Sequence, residues 1–168
     1  GEHFTPRDAI RLLVDLLFAG DDAALREPGT VRSIYDPTAG TGGMLSIADE
    51  RLRDYNASVA LQLYGQEIND QSYAICKSDM MIKGNNPENI KVGSTLSTDE
   101  FAAQRFDFML SNPPYGKSWN SELKYIKDGN DVIDSRFKVP LANYWGNVDV
   151  QDATPRSSDG QLLFLMEM

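Results

Sequence analysis

The chain has 168 residues, enough for one domain with a buried core, and 41% of its residues are hydrophobic. Its net charge of −9 argues against a protein that holds DNA unaided, because phosphate binding depends on clustered lysine and arginine side chains. A single cysteine, Cys76, excludes an intrachain disulfide and a cysteine metal cluster, and a single histidine, His3, argues against a histidine zinc site. No metal is therefore expected. No apolar run is long enough to cross a membrane, so a cytoplasmic protein is expected.

Helical and strand-like patterns alternate through the first two thirds of the chain. Residues 4–17 predict a helix with Thr5 as its N-cap, Pro6 in its first position and an apolar stripe on one face. Strands are predicted at 31–37, 61–68, 89–96 and 105–114, and further helices at 44–55 and 69–84. This alternation predicts βαβ units and a parallel sheet with helices on both faces.

The last third of the chain is harder to interpret. Residues 117–158 are polar and show no clean periodicity. Residues 157–168 predict a final helix or a buried segment.

Three motifs fall at the predicted ends of strands. They are DPTAGTGG (36–43), GQEIND (65–70) and SNPPYG (111–116). Because ligands of parallel sheets bind outside the carboxyl ends of the strands, this coincidence predicts a binding site at that edge.

The first two motifs are suited to a nucleoside cofactor. The glycines of DPTAGTGG allow a tight turn and close approach of a ligand, but the spacing GxGG excludes a P-loop and gives only a weak dinucleotide fingerprint. Glu67 ends the next predicted strand, where a carboxylate can accept hydrogen bonds from ribose hydroxyls. A ligand-free turn and a solvated carboxylate are the alternatives. The pair of motifs favours an adenosine cofactor without saying which one.

The SNPPYG motif fits chemistry on a planar exocyclic amine, whose lone pair is delocalised into its ring. Acceptors placed on the amine N–H groups would favour a pyramidal, more nucleophilic nitrogen. The side-chain carbonyl of Asn112 and the backbone carbonyl of Pro113 can supply them, held stiffly by the two prolines. Tyr115 offers a ring for stacking an extruded base. A proline-rich strand exit in which Tyr115 packs is the alternative.

These three motifs, preceded by HFTP and in this order, resemble amino-group DNA methyltransferases that use S-adenosylmethionine. More narrowly, they resemble the modification subunit of type I restriction-modification systems, which methylates adenine N6. The resemblance spans residues 2–168. It implies an α/β, Rossmann-like methyltransferase fold with a doubly wound, mostly parallel sheet. It also implies that residues 1–168 are one partial catalytic domain, truncated relative to a protein with an N-terminal helical region and further C-terminal strands.

The resemblance assigns roles residue by residue. The segment Phe4 to Pro6 would cover the methionine end of the cofactor, and Glu67 would hold its ribose. Many relatives carry an acid near the cofactor's adenine where this chain has Ser94. The implied cofactor-binding residues are Phe4, Thr5, Pro6, Asp36, Pro37, Thr38, Gly40, Gly42, Gly43, Glu67 and Ser94, and the implied catalytic residues are Asn112, Pro113, Pro114 and Tyr115.

The implied partners are double-stranded DNA, a specificity subunit, a second modification subunit and an endonuclease subunit, with no membrane. The acidic composition is compatible with a catalytic subunit whose sequence recognition comes from another chain. The target base would be flipped into a pocket beside Asn112.

Other chemistries are left open or disfavoured by particular residues. Methylation at C5 of cytosine requires a thiolate nucleophile, and Cys76 lies inside a predicted helix, where a packing role is favoured. Enzymes that methylate a glutamine amide in proteins share NPPY, although the leading HFTP argues against them. A catalytically silent, cofactor-binding assembly module is the non-enzymatic alternative. A nicotinamide dehydrogenase is more distant, because NPPY has no role in it.

Overall fold

The structure, a computed structural model, describes residues 5–168, so the expectation for Phe4 lies outside the described residues. The chain divides into two compact units. The first runs to Thr95 and also includes Glu100–Asn112, and the second comprises Leu96–Asp99 and Pro113–Met168. No described helix is long and apolar enough to cross a bilayer.

A parallel sheet organises the first unit. Its elements are α1 (Arg7–Ala19), α2 (Asp22–Leu25), β1 (Val31–Asp36), α3 (Gly43–Tyr55), β2 (Ala60–Glu67), α4 (Asp70–Ile82), β3 (Ile90–Val92) and β4 (Phe108–Met109). The strand order is β3-β2-β1-β4, and every pairing is parallel. The predicted parallel sheet is confirmed. Because the chain first moves outward from β1 to β3 and then returns to the other side of β1, a topological switch point lies between β1 and β4.

The two faces of this sheet are covered differently. Ile34 of β1 and Leu63 of β2 lie opposite each other and join a core with α1, α3 and α4. The next pair, Tyr35 and Tyr64, points to the other face because side chains alternate along a strand. There Tyr35 stacks on Phe106 with ring centroids 4.7 Å apart.

Strands β3 and β4 are shorter than the predicted segments 89–96 and 105–114. β3 ends where Gly93 adopts a φ of +138°. β4 leaves the ladder after the Leu110 N–H donates to the Tyr35 carbonyl, at 3.0 Å. The prolines that follow have no N–H to continue the pairing.

Short helices and antiparallel strand pairs form the second unit, most of which lies in the region without a clean periodicity in the sequence. They are α5 (Leu123–Ile126), β5 (Lys127–Asp128), β6 (Asp131–Val132), β7 (Lys138–Ala142), β8 (Val148–Asp152) and α6 (Gly160–Glu167). The β7–β8 hairpin is exposed along most of its length: β7 (KVPLA) shows no alternation of apolar and polar residues, and the short alternation in β8 (VDVQD) marks no buried face. A small core includes Trp119, Phe137 and Leu163.

A half-buried cation, Arg136, bonds the last helix to the rest of this unit. The Arg136 guanidinium donates to Glu167 at 2.6 Å, to Asp134 at 2.7 Å and to the Leu96 carbonyl at 3.1 Å. The predicted final helix is confirmed as α6.

We expect Gly42→Ala to destabilise the protein by about 2–4 kcal/mol. Gly42 has a φ of +83°, and an added Cβ would lie 2.7 Å from the Cys76 sulfur. The adjacent Gly43→Ala is the matched control, because its Cβ would meet no atom within 4 Å at the start of a helix. Urea unfolding followed by circular dichroism compares them. Equal stability of the two variants would contradict the packing argument.

Candidate functional site

Three loops leave the same edge of the sheet, after β1, β2 and β4. Asp36 and Glu67 are the last residues of β1 and β2, and Asn112 follows β4 by three positions. Since these strands are parallel neighbours, their loops begin side by side. The structure therefore places the first two predicted motifs, and the first two residues of the third, at one edge of the sheet.

Glu67 holds the glycine-rich loop that follows β1. Its Oε2 accepts a hydrogen bond from the Gly40 N–H and its Oε1 accepts one from the Asn69 N–H, both at 2.8 Å. The Ala39 N–H donates to the Gln66 carbonyl at 3.0 Å, so the loop is attached to β2 at two successive residues. Each carboxylate oxygen still has a lone pair for a further donor. Glu67 can thus fix the loop and bind a hydroxyl at once.

The first two glycines of the DPTAGTGG motif adopt backbone conformations that other residues rarely take. Gly40 has a φ of +56° and Gly42 a φ of +83°. Gly42 lies against Cys76, whose thiol is in the core and whose pKa burial raises to about 12. Such a thiol cannot supply a thiolate at neutral pH. The interpretation of Cys76 as a packing residue agrees with this environment.

Asp36, the last residue of β1, stabilises the first residues of the glycine-rich loop. It is 1% exposed, and its Oδ1 accepts hydrogen bonds from the Thr38 N–H at 2.9 Å and the Thr38 hydroxyl at 3.3 Å. Burial raises the pKa of Asp36 to about 7, the Thr38 hydrogen bonds oppose that rise, and the Glu67 charge adds to it. In this geometry the Asp36 carboxyl holds the backbone and side chain of Thr38, which belongs to the loop.

Asn112 is oriented by a residue distant in sequence. Its side-chain Nδ2 donates to the Thr5 hydroxyl at 2.8 Å. The prediction of Thr5 as a helix N-cap is wrong, since α1 begins at Arg7 and no side chain caps it. With Nδ2 bonded to Thr5, the carbonyl Oδ1 is the part of the amide that can accept a hydrogen bond from a ligand.

The remaining predicted residues lie at the same strand ends or just beyond them. Ser94 is half-buried after β3, and its neighbour Gly93 donates its N–H to the Glu67 carbonyl at 2.9 Å. Asn112 is the last residue of the first unit, and Pro113 and Pro114 begin the next stretch of the second. Tyr115 is 74% exposed, so its ring is available for stacking.

Two residues that sequence reasoning did not single out also hold the site. The buried Thr95 hydroxyl donates to the Pro37 carbonyl at 2.6 Å. The Ser111 hydroxyl lies 2.8 Å from the Thr38 hydroxyl. Neither gives a sequence signal, because each bond joins positions at least 58 residues apart.

We define the stability gap as the free energy of unfolding of Asp36→Asn minus that of the natural protein. We expect this gap to increase as pH rises. The folded protein keeps a proton on Asp36 up to about pH 7, whereas in the unfolded chain the pKa is near 3.8. The natural protein therefore loses stability across this window, and the neutral amide does not. The gap should grow by up to about 1.4 kcal/mol per pH unit.

Urea unfolding of both proteins from about pH 4 to pH 8 measures this gap. Taking the difference removes groups that titrate in both, such as Glu167, whose pKa burial also raises to about 7. A pH-independent gap would show that Asp36 ionises normally in the folded protein.

The chain is similar in sequence to curated methylase subunits. The MpnII type I restriction enzyme methylase subunit of Mycoplasma pneumoniae is 32% identical over 148 residues, covering 82% of this chain and 25% of that subunit. The MjaIX type I restriction enzyme methylase subunit of Methanocaldococcus jannaschii is 29% identical over 151 residues. The match covers 86% of this chain and 25% of that subunit. The chain spans about a quarter of the length of these curated relatives.

A solved structure and a sequence family extend the likeness. The crystal structure of a type I restriction-modification system methyltransferase subunit from Streptococcus thermophilus matches with a TM-score of 0.69 and 25% identity, over 99% of this chain and 31% of that one. This match confirms the predicted α/β, Rossmann-like methyltransferase fold. The N-6 DNA methylase family matches residues 1–146. With most of its length matched, the chain belongs to the N-6 DNA methylase family.

Proposed function

We propose that the protein containing this chain transfers a methyl group from S-adenosylmethionine to N6 of adenine in DNA, as the modification subunit of a type I restriction-modification system. The observation that carries the proposal is the orientation of Asn112. Thr5 holds its amide N–H, which leaves the carbonyl Oδ1 to accept a hydrogen bond at the switch point of the sheet.

The residues at this edge fit S-adenosylmethionine. Glu67 offers lone pairs to two ribose hydroxyls while it holds Gly40. Gly40 and Gly42 bring backbone close to the ligand, where a side chain would intrude. Helix α3 starts without a side-chain cap or an acidic residue in its first turn, so its N-terminus favours an anionic group such as the cofactor's carboxylate. Ser94 lies at the same strand edge and offers a hydroxyl.

When bound, S-adenosylmethionine supplies an electrophilic methyl group on a sulfonium sulfur. The chain would act on the amine that attacks it. Asn112 Oδ1 accepts one amine hydrogen and the Pro113 carbonyl accepts another, which favours a localised lone pair on nitrogen. The two prolines keep these acceptors from relaxing, so the favourable electrostatics are present before the reaction starts. Tyr115, largely exposed, would stack on the extruded adenine.

The proposed partners follow from the same assignment. Relatives named as methylase subunits of type I restriction enzymes support a multisubunit assembly. We propose double-stranded DNA as substrate, and a specificity subunit, a second modification subunit and an endonuclease subunit as protein partners. The net charge of −9 supports delegation of DNA binding to a partner.

Asn112→Ala should lower methylation by at least about 100-fold, because one preorganised acceptor at the reacting amine is lost. The full-length protein is co-expressed with its genomic neighbours in a host that lacks adenine methylation. Its DNA is then digested and N6-methyldeoxyadenosine is quantified. Asn120→Ala, an exposed asparagine of the second unit, is the control and should keep full activity. Absence of the modified nucleoside with the natural protein and its expressed partners would refute the proposed function.

Glu67→Gln should weaken S-adenosylmethionine binding by about tenfold or more. The variant loses the negative charge and one acceptor oxygen, so it cannot hold both backbone N–H groups and the ribose. Calorimetric titration of the assembled complex with the cofactor measures the change. Glu27→Gln removes the same charge from an exposed site before β1 and should bind normally. Equal affinities for the two variants would remove Glu67 from the cofactor site.

A further inference from the structure

The backbone link between β1 and β4 stops short of the residues that the proposed chemistry uses. The last bond of the ladder runs from the Leu110 N–H to the Tyr35 carbonyl at 3.0 Å. Beyond this bond, the backbone after β1 continues into the glycine-rich loop, and the backbone after β4 continues to Asn112. The contact between the hydroxyls of Thr38 and Ser111, at 2.8 Å, continues the link past the end of the ladder.

A neighbouring bond extends this contact to Asp36. The Thr38 hydroxyl lies 3.3 Å from Asp36 Oδ1, and a hydroxyl has a single proton to donate. In the arrangement where Thr38 donates to Asp36, Ser111 donates to Thr38. The resulting chain runs from Ser111 through Thr38 to a carboxyl buried at the end of β1. Ser111 is thereby anchored to the central strand of the sheet.

Ser111 immediately precedes Asn112, so this anchor acts on the backbone of the proposed catalytic residue. Thr5 holds the Asn112 side chain separately. Direct methyl transfer requires the donor methyl and the acceptor nitrogen to be aligned, and a misplacement of about 1 Å can cost a hundredfold in rate. The glycine-rich loop would position the donor and Asn112 the acceptor. The hydroxyl pair joins the two.

We propose that Thr38 and Ser111 form a positioning contact that sets the separation between the cofactor loop and Asn112. The inference rests on the proposed function. It assigns Ser111 a role in the rate of methyl transfer, separate from the binding of cofactor or DNA. Loss of either hydroxyl should break the same link, so the two losses should not add.

The experiment is a double-mutant cycle in the full-length protein assembled with its partners. Thr38→Val and Ser111→Ala remove the hydroxyls with little change in volume. Each should lower the single-turnover rate of methyl transfer by about tenfold, and the double variant by no more than either alone. The cofactor dissociation constant, measured by calorimetry, should change less than about twofold for Ser111→Ala. Ser78→Ala, which removes an exposed hydroxyl bonded within α4, is the control.

The exchange variant Thr38→Ser with Ser111→Thr keeps both hydroxyls and should restore at least half of the natural rate. It separates loss of the hydrogen bond from poor folding, should either truncated variant prove unstable. Rates that fall additively, or an unchanged rate in Ser111→Ala, would overturn the inference. An inactive natural complex would instead refute the proposed function itself, so the two failures are distinguishable.

Discussion

Everything at the candidate site depends on β1 pairing in parallel with β2 on one side and β4 on the other. Parallel pairing directs the three strand exits to one edge, and the reversal of strand order keeps the loops after β1 and β4 from covering each other. Residues 36, 67 and 112 meet there for this reason, although up to 76 positions separate them in sequence. An antiparallel partner beside β1 would send one of these loops to the opposite edge.

Burial gives the two acids at this edge different tasks. Asp36 is almost completely enclosed, so its charge is costly and its hydrogen bonds go to the adjacent Thr38. Glu67 is only half-buried, and its carboxylate holds backbone N–H groups on two sides while open to a ligand. The same functional group thus serves as an internal support at one strand end and, at the next, holds two backbone N–H groups at the proposed cofactor site.

Side chains around the site are held by bonds that connect separate segments. Thr5 orients Asn112, Thr95 fixes Pro37, and Ser111 meets Thr38. Each bond immobilises a loop that has left the sheet and lacks ladder pairing. A site built in this way is preorganised, as the proposed transfer to a weakly nucleophilic amine would require.

The sequence by itself predicted the main elements of the first unit and the strand edge at which the candidate site lies. Glycines at positions 40 and 42, an acid at the end of the second strand, and two prolines after the last one are local signals, because each acts through its own backbone or its immediate neighbours. Alternation of helix and strand determined the parallel sheet. The confirmed fold and the shared edge of the three motifs follow from these patterns.

Tertiary structure alone decided the rest. The Thr5 hydroxyl matches an N-cap pattern. It instead accepts a hydrogen bond from Asn112, 107 positions away, because folding brings the Asn112 amide beside it. The hairpins of residues 127–152 are short and mostly exposed, so the alternation of VDVQD in β8 is too brief to have marked a strand in this polar region. Long-range hydrogen bonds and the extent of burial leave no pattern in a linear sequence, and they are what give Asp36, Ser111 and Thr95 their places in the site.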